Sequence, residues 1–345
     1  MKPRDIFLTK IRRGDAPRVG TGSATSIVTT DLMEKVGVYF PEAHLDAEKM
    51  ARLAEAGYTE LGYDNVMPLF GVWHEAAAMG CEMDWGHKSQ MPDGKIICSS
   101  IDDEFHVPKD FLNHPACAVP LGALELLKKR VGNEVAVVGK VFGPWTLAYH
   151  IFGIEEFLMS TLLDPDAVKR VLRELIQVTI GFANAQIESG ADALTLADHC
   201  TRDLCSPDAY KDFLSDIHHE LHESIGCPLI LHICGDTSDR IKYIRETGIE
   251  CFHFDSKTGC ARARELAGDT LGLMGGTSNL QIVIDGTPET ITRDVEEKLS
   301  QGVDVIGPEC AVPLNAPYKN LKMIAEVTKK LSGEKAVAGT QSSMR

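Results

Sequence analysis

The stretch Cys227–Asp236, CPLILHICGD, decides the fold. Its apolar run Pro228–Cys234 stops abruptly at Gly235, and the residues from Gly235 to Glu246 read as a helix. A short strand, apolar on both faces, that feeds a helix belongs to a buried parallel sheet. The same unit recurs on either side. GADALTLADHC (190–200) places a strand over Ala193–Ala197 after the turn Ser189-Gly190-Ala191-Asp192, and IECFHFDS (249–256) places one over Glu250–Asp255. Working outward, strands are expected at Val135–Phe142, Leu271–Gly275 and Val303–Gly307, and nearer the N-terminus at Arg18–Gly22 and Thr59–Asp64. Helices open between them with a cap residue and a proline in the first turn. Asp164-Pro165-Asp166 starts one that runs towards Glu188. Ser206-Pro207-Asp208 starts one through His222. Thr287-Pro288-Glu289 precedes the last strand, and Asn315-Ala316-Pro317 opens a final helix ending near Leu331. Eight strands alternating with helices is the count of an α/β (β/α)8 TIM barrel. The alternative is an open doubly wound sheet, and the lack of a G-x-G-x-x-G after the first strand counts against it.

The chain has 345 residues, enough for one barrel of about 250 residues with insertions. A single barrel domain over 1–345 is therefore expected, with an N-terminal segment as part of it. The insertion, about 66–134, falls between strands two and three. It holds a β-hairpin with its turn at Met91-Pro92-Asp93-Gly94. The polar tail, about 333–345, reads as frayed. Hydrophobic residues make up 44% and charged residues 25%, which excludes disordered and fibrous classes. No apolar run approaches the ~18 residues of a membrane span. The N-terminal MKPRDIFLTKIRRGDAPR is basic without an apolar core, so no secretory signal is expected. The net charge of −15 opposes binding to nucleic acid and anionic membranes. The basic cluster Lys128-Lys129-Arg130 reads as the dipole-complementing end of a helix. The 10 cysteines, scattered and without a signal peptide, indicate a reduced, cytoplasmic protein. Homo-oligomerisation is left open.

In such a barrel chemistry sits at the C-terminal ends of the strands. His232 and Cys234 are two apart and so lie on one side of a strand. Gly307-Pro308-Glu309-Cys310 brings a second thiol to the same level across the barrel. Phe254-Asp255-Ser256-Lys257 adds the carboxylate of Asp255 from the neighbouring strand end. Two thiols, one imidazole and one exchangeable oxygen donor make a zinc site, and an exchangeable position marks a catalytic one. Two thiolates leave the metal electron-rich, suited to lowering the pKa of an incoming thiol and holding it as a thiolate nucleophile. Other polar landmarks have structural readings. Cys200, Cys205, Cys227 and Cys251 read as small buried hydrophobes. His218, His219 and His222 are expected on a solvated helix face, with His219 and Glu223 as an exposed pair. His74-Glu75 lacks the second histidine of a metalloprotease helix. Gly143-Pro144, Gly275-Gly276 and Gly307-Pro308 read as tight turns.

At this point the sequence resembles the uroporphyrinogen decarboxylase superfamily, and within it the methylcobamide:coenzyme M methyltransferase branch. The stretches that carry the resemblance are Phe40-Pro41-Glu42-Ala43-His44, Ala78-Met79-Gly80-Cys81-Glu82, Gly143 through Ala148 (GPWTLA), Gly190-Ala191-Asp192, Ala197-Asp198, Leu204-Cys205-Ser206-Pro207, Leu231-His232-Ile233-Cys234-Gly235 and Gly307-Pro308-Glu309-Cys310. The resemblance implies a (β/α)8 barrel with Zn2+ bound by His232, Cys234 and Cys310, and Asp255 as a resting fourth ligand that the thiol displaces. It implies methyl transfer from a methylcobalamin-type corrinoid, carried by a corrinoid-binding partner protein, to a small thiol such as coenzyme M. The products are a thioether and cob(I)amide. Asp198, His199, Arg202 and Lys257 are the expected contacts to cofactor and acceptor, Arg202 and Lys257 being candidates for the sulfonate. The sequence departs from that branch at Lys140, where the branch carries a small residue, and at His199, where it carries proline. A pterin acceptor, tetrahydrofolate, on the same fold is the alternative. A non-catalytic module that docks to the corrinoid protein is another reading. Decarboxylation is the less favoured one: no N-terminal arginine cluster is expected to face the barrel, the segment Arg18–Ser26 being rich in Gly, Ser and Thr instead.

Overall fold

The computed structural model describes residues 1–342, with side chains through 333. The barrel strands are β1 (Gly20–Thr21), β2 (Asn65–Val66), β3 (Ala136–Phe142), β4 (Ala193–Ala197), β5 (Leu229–Ile233), β6 (Cys251–Phe254), β7 (Gly272–Thr277) and β8 (Val305–Pro308). They form one eight-stranded ladder in the order β1-β8-β7-β6-β5-β4-β3-β2, and every neighbouring pair is parallel. The strands are buried along their whole length, which is why they read as continuous apolar runs rather than alternating ones. Helices cover the outer face. The helix Pro165–Glu188 is capped by Asp164, whose side chain accepts from the Ala167 N–H. From it Gln186 grips β3 by accepting from the Lys140 N–H at 2.9 Å and donating to the Lys140 carbonyl at 2.8 Å.

The ladder ends at β1 and β2, and side chains do most of the work of closing it. The Asp64 N–H donates to the Thr21 carbonyl at 2.8 Å. The Asp64 carboxylate is fully buried, accepts from the Thr21 N–H at 2.9 Å, and takes both prongs of Arg18 at 2.7 and 2.8 Å. Asn65 then copies a strand pairing with its amide. It accepts from the Ser23 N–H at 3.1 Å and donates to the Ser23 carbonyl at 2.8 Å. The sheet is thereby a nearly closed (β/α)8 barrel, and its rim gathers the strand ends. No described helix is long and apolar enough to cross a membrane.

Three expected boundaries shift. Thr59–Asp64 is not a strand: the helix Ala47–Thr59, capped by Asp46, uses Thr59, the chain reverses at Gly62 (φ +75°), and β2 begins at Asn65. Apolar spacing of the helix carries through the residues that resemble a strand start. The hairpin in the insertion exists, with Met83–Asp84 antiparallel to Asp93–Gly94. Its reversal, however, is at His87–Gln90, which exchange backbone hydrogen bonds of 3.1 and 2.9 Å. Met91-Pro92-Asp93-Gly94 is the returning arm. Finally, the last helix runs Tyr318–Ser342, past Leu331, because Glu334, Lys335 and Ala336 are helix formers with no stop signal among them. Residues 343–345 of the expected frayed tail lie outside the described residues.

If the seam depends on Asp64, Asp64→Ala strands the partly buried Arg18 guanidinium and the Thr21 N–H. A loss of about 3–5 kcal/mol of unfolding free energy is expected, measured by denaturant melts followed by circular dichroism. A loss below about 1 kcal/mol contradicts this role.

Candidate metal centre

Register carries the site. The row Phe142–Ala197–His232–His253–Met274 crosses β3 to β7 with partners side by side. His232 therefore faces the barrel interior, and Cys234, two residues on, faces the same way. Cys310 arrives from β8. Between them Glu309 fastens the rim, accepting from the Ser256 N–H at 3.0 Å and the Asn279 N–H at 2.7 Å. With Glu309 committed to its neighbours' loops, Cys310 lines the cavity. The Nε2 of His232 lies 3.2 Å from the Cys234 sulfur, which lies 3.2 Å from the Cys310 sulfur. All three donor atoms fall within 4.8 Å of one another. The hydrogen bond from Cys234 holds the Cys310 thiol well below the ordinary thiol range, against burial. The same bond and burial push Cys234 up. Two sulfurs and one imidazole nitrogen are the donor set of a zinc site with one position left for a substrate, and the residues present fit that ion.

A second histidine fixes the first. His253 is fully buried, and burial followed by the nearby His232 holds its pKa well below 6.5, so the ring is neutral. Its Nε2 lies 2.8 Å from the Pro308 carbonyl, an acceptor only, and so carries the proton. Its Nδ1 must then accept, and it lies 2.7 Å from Nδ1 of His232. His232 is thus protonated at Nδ1 and turns the lone pair of Nε2 towards the two sulfurs. An outer partner that sets the tautomer of a ligating histidine is a recurrent feature of metal sites. Room for the His253 ring comes from Gly275 (φ +93°), where a Cβ would meet the imidazole at 2.6 Å. Gly275-Gly276 thus lies within β7 as a close approach and is not a tight turn. Gly143 stands against the Asp198 carboxylate in the same way, a Cβ there meeting it at 2.2 Å.

The three donors open onto a cavity of about 320 Å³ whose lining includes Phe70, Met91, Lys140, Phe142 and His199. Asp198 and His199 both reach it. The Asp198 carboxylate is already taken by the Thr146 N–H (2.8 Å), the Thr146 hydroxyl (3.0 Å) and Nε2 of His218 (3.0 Å). It positions the β4 end, and His199 is the side chain that meets the cavity. Asp255 stands apart from the three donors: its oxygens accept from the Gly235 N–H and the Lys257 N–H, both at 2.9 Å. Neither Arg202 nor Lys257 lines the cavity. Arg202 is exposed and pairs with Asp236 at 2.8 Å, and Lys257 is exposed beside a separate surface pocket. His218, expected on a solvated face, is fully buried between Asp198 and the Tyr210 hydroxyl. His219 is half-buried against the Thr247 carbonyl, and the expected pair with Glu223 does not form. Its neighbour His222 takes Glu223 and Glu250 instead.

A polar group behind the cavity wall has a fainter sequence signal: His74 and Glu75 open the short alanine helix His74–Ala78, and Lys140 interrupts the apolar β3. All three are buried, as is His44. Burial pushes Glu75 up to about 7, Lys140 down to about 8, and His44 and His74 down to about 3 and about 4.

Comparison with known proteins places this architecture. The family model for uroporphyrinogen decarboxylase (URO-D) matches residues 2–331. The chain belongs to the uroporphyrinogen decarboxylase family. Among its relatives is a methylated-thiol–coenzyme M methyltransferase of Methanosarcina mazei, 30% identical over 330 residues, covering 95% of this chain and 89% of the relative. A methylcobamide:CoM methyltransferase, MtaA, of Methanosarcina barkeri is also 30% identical, over 89% of this chain and 91% of its own. Among solved structures, a methyltransferase from Methanosarcina mazei superposes with a TM-score of 0.92 at 27% identity, over 96% of this chain and 99% of that one. The resemblance legible in the sequence is to this family and to relatives of this kind.

Within this family member the buried Glu75 has a measurable signature. Its folded pKa near 7 lies above the ordinary 4.5, so folding favours its acid form. The stability it contributes is full below pH 4.5 and is lost as pH rises through 7. His44 and His74 act in the opposite sense, contributing above 6.5 and losing that as pH falls. They are common to the wild type and Glu75→Gln, so the difference between the two isolates Glu75. The stability of Glu75→Gln relative to wild type should rise between pH 5 and 8 by on the order of 3 kcal/mol. Denaturant melts across that range check it, and a flat difference contradicts it.

Proposed function

We propose that this member of the family is a zinc-dependent methyltransferase. It moves a methyl group from a methylated corrinoid, carried by a corrinoid-binding partner protein, to a small thiol of the coenzyme M kind. The observation that carries the reading is the meeting of His232, Cys234 and Cys310 donor atoms within 4.8 Å on the wall of a cavity of small-molecule size. The names of the relatives support it, since both carry coenzyme M and one carries methylcobamide.

Zn2+ bound by His232, Cys234 and Cys310 supplies Lewis acidity that makes an incoming thiol available as thiolate near neutral pH. The chain's own residues do the rest. Cys234 and Cys310 would hold the ion through their sulfurs, and His232 through Nε2. His253 keeps the Nε2 lone pair of His232 pointed at the site. Phe70, Phe142 and Met91 wall the cavity, and exclusion of water keeps the sulfur nucleophile unsolvated and reactive. In the transfer itself the sulfur of the acceptor bonds to the methyl carbon, the carbon–cobalt bond breaks, and its electron pair stays with the corrinoid. A mouth on the C-terminal rim is where a donor carried by another protein has to arrive, since the rest of the barrel is covered by helices.

Purified protein should carry about one zinc per chain, and Cys310→Ala should lose both the ion and more than a hundredfold of the thiol methylation rate with free methylcobalamin. Full activity in that variant contradicts the proposal. His253→Ala leaves the ligands intact but frees the tautomer, so a 10–100-fold loss of metal affinity is expected from competition with a zinc chelator. An unchanged affinity contradicts the positioning role of His253.

A further inference from the structure

The cavity that receives the acceptor contains a cation that the methyl transfer itself does not use. Lys140 projects from the middle of β3 and is 3% exposed. It is the only lysine or arginine among the described residues that line the cavity. One of its three N–H donors goes to the Gly71 carbonyl at 2.8 Å. The other two have no partner among the described hydrogen bonds, and the ammonium sits 5.3 Å from the centre of the Phe142 ring. A buried ammonium ordinarily has a carboxylate against it. Here no ion pair forms among the described residues. Glu75, the acid whose charge acts on it most, spends one oxygen on the Phe142 N–H at 2.8 Å and leaves the other without a partner. Burial raises Glu75 to about 7 and lowers Lys140 to about 8, and the charge of each partly offsets the shift of the other. The neighbouring His44 and His74 are neutral and leave Nε2 atoms unpaired. Lys140 thus places an ammonium with free donors on the wall of the cavity that the three-donor site also lines, while the Asp198 carboxylate on the same lining is taken up by Thr146 and His218.

We infer that Lys140 is a specificity-determining residue: it holds the anionic head group of the acceptor, and so selects thiols that carry a sulfonate or carboxylate a few bonds from the sulfur. The inference rests on the methyl-transfer reading for the thiol and on the cavity alone for the anion. It moves the head-group contact away from Arg202 and Lys257, which lie outside the cavity, and it gives the interruption of β3 by a lysine a purpose. Gln186, which clamps the Lys140 backbone from the outer helix, fixes where the ammonium stands. An acceptor bound this way has its sulfur at the metal donors and its charge at β3.

Lys140→Met keeps most of the side-chain volume and removes the charge, and Lys140→Gln serves as a second variant should the first fail to fold. Two readouts are compared in each full-length protein. In the first, methylation of 2-mercaptoethanesulfonate, 3-mercaptopropionate and 2-mercaptoethanol by methylcobalamin gives the ratio of kcat/KM for charged over uncharged thiol. Wild type should favour the charged thiols, and the ratio should fall at least tenfold in the variants, chiefly through KM. In the second, calorimetric titration with ethanesulfonate and propionate, which have no thiol, should show binding to wild type that weakens at least tenfold in the variants. An unchanged ratio together with unchanged anion binding overturns the role of Lys140. If no thiol is methylated while anion binding still depends on Lys140, the methyl-transfer reading falls and the anion site stands. If thiols are methylated without regard to charge, the transfer reading stands and the inference falls.

Discussion

The 3.2 Å approach of the Cys234 and Cys310 sulfurs is the constraint on which the rest depends. The two residues are 76 apart in sequence, and only the rim of a barrel brings them together. Cys310 follows β8, β8 pairs with β1 through Gly20↔Val305 and Thr21↔Ile306, and β1 is held in turn by Asp64 and Asn65 at the seam. Loosening the seam therefore loosens the site. Two buried thiols and an imidazole in contact are a poor core by themselves, with sulfur and nitrogen lone pairs facing one another. Their arrangement makes sense as a set of donors waiting for a shared partner, held ready by His253, Glu309 and the strand register.

The interior of this barrel is more polar than stability alone favours. Lys140, Glu75, His74, His44, His253 and Asp198 are all buried. Some are fully paired: Asp198 with Thr146 and His218, His253 with His232 and Pro308. Others leave atoms without partners, among them Nε2 of His74 and one oxygen of Glu75. The unpaired ones cluster on the β2–β3 side of the cavity and the paired ones hold the ligand-bearing strands. That division is what a site needs if one wall is built to be rigid and the other to meet a polar ligand.

Much of this could be read from the sequence, and the failures have physical causes. Strands such as Ala193–Ala197 were legible because parallel strands buried on both faces leave a continuous apolar run. The pairing of His232 with Cys234 was legible because the period of a strand is two, and Cys310 because barrel strand ends share one rim. The same period, applied to β6, marks His253 as inward beside His232, but a register between strands is a tertiary fact that no single run contains. Asp255 looked like a ligand by its position at a strand end. Without an ion its carboxylate lies outside the three-donor group and caps the turn Ser256–Thr258 and the Gly235 N–H, as short acidic side chains tend to do. Arg202 and Lys257 looked like anion binders by charge alone, yet both sit on exposed turns where charge needs no partner. His218 was placed outside because its helix carries other polar residues. Its burial follows from Asp198, 20 residues away in sequence and 3.0 Å away in space, a contact invisible in helical periodicity. The hairpin reverses at His87–Gln90, ahead of the expected Met91–Gly94, because a Pro-Asp-Gly sequence signals a turn even where it forms a returning arm.

The proposed chemistry requires three soft donors to hold one metal ion. X-ray absorption at the zinc edge, recorded on the zinc-loaded full-length protein without acceptor, measures the nearest neighbours of the ion directly. Two sulfurs near 2.3 Å and a histidine nitrogen near 2.0–2.1 Å are the expected shell. A shell of oxygen and nitrogen alone, with no sulfur, would contradict it.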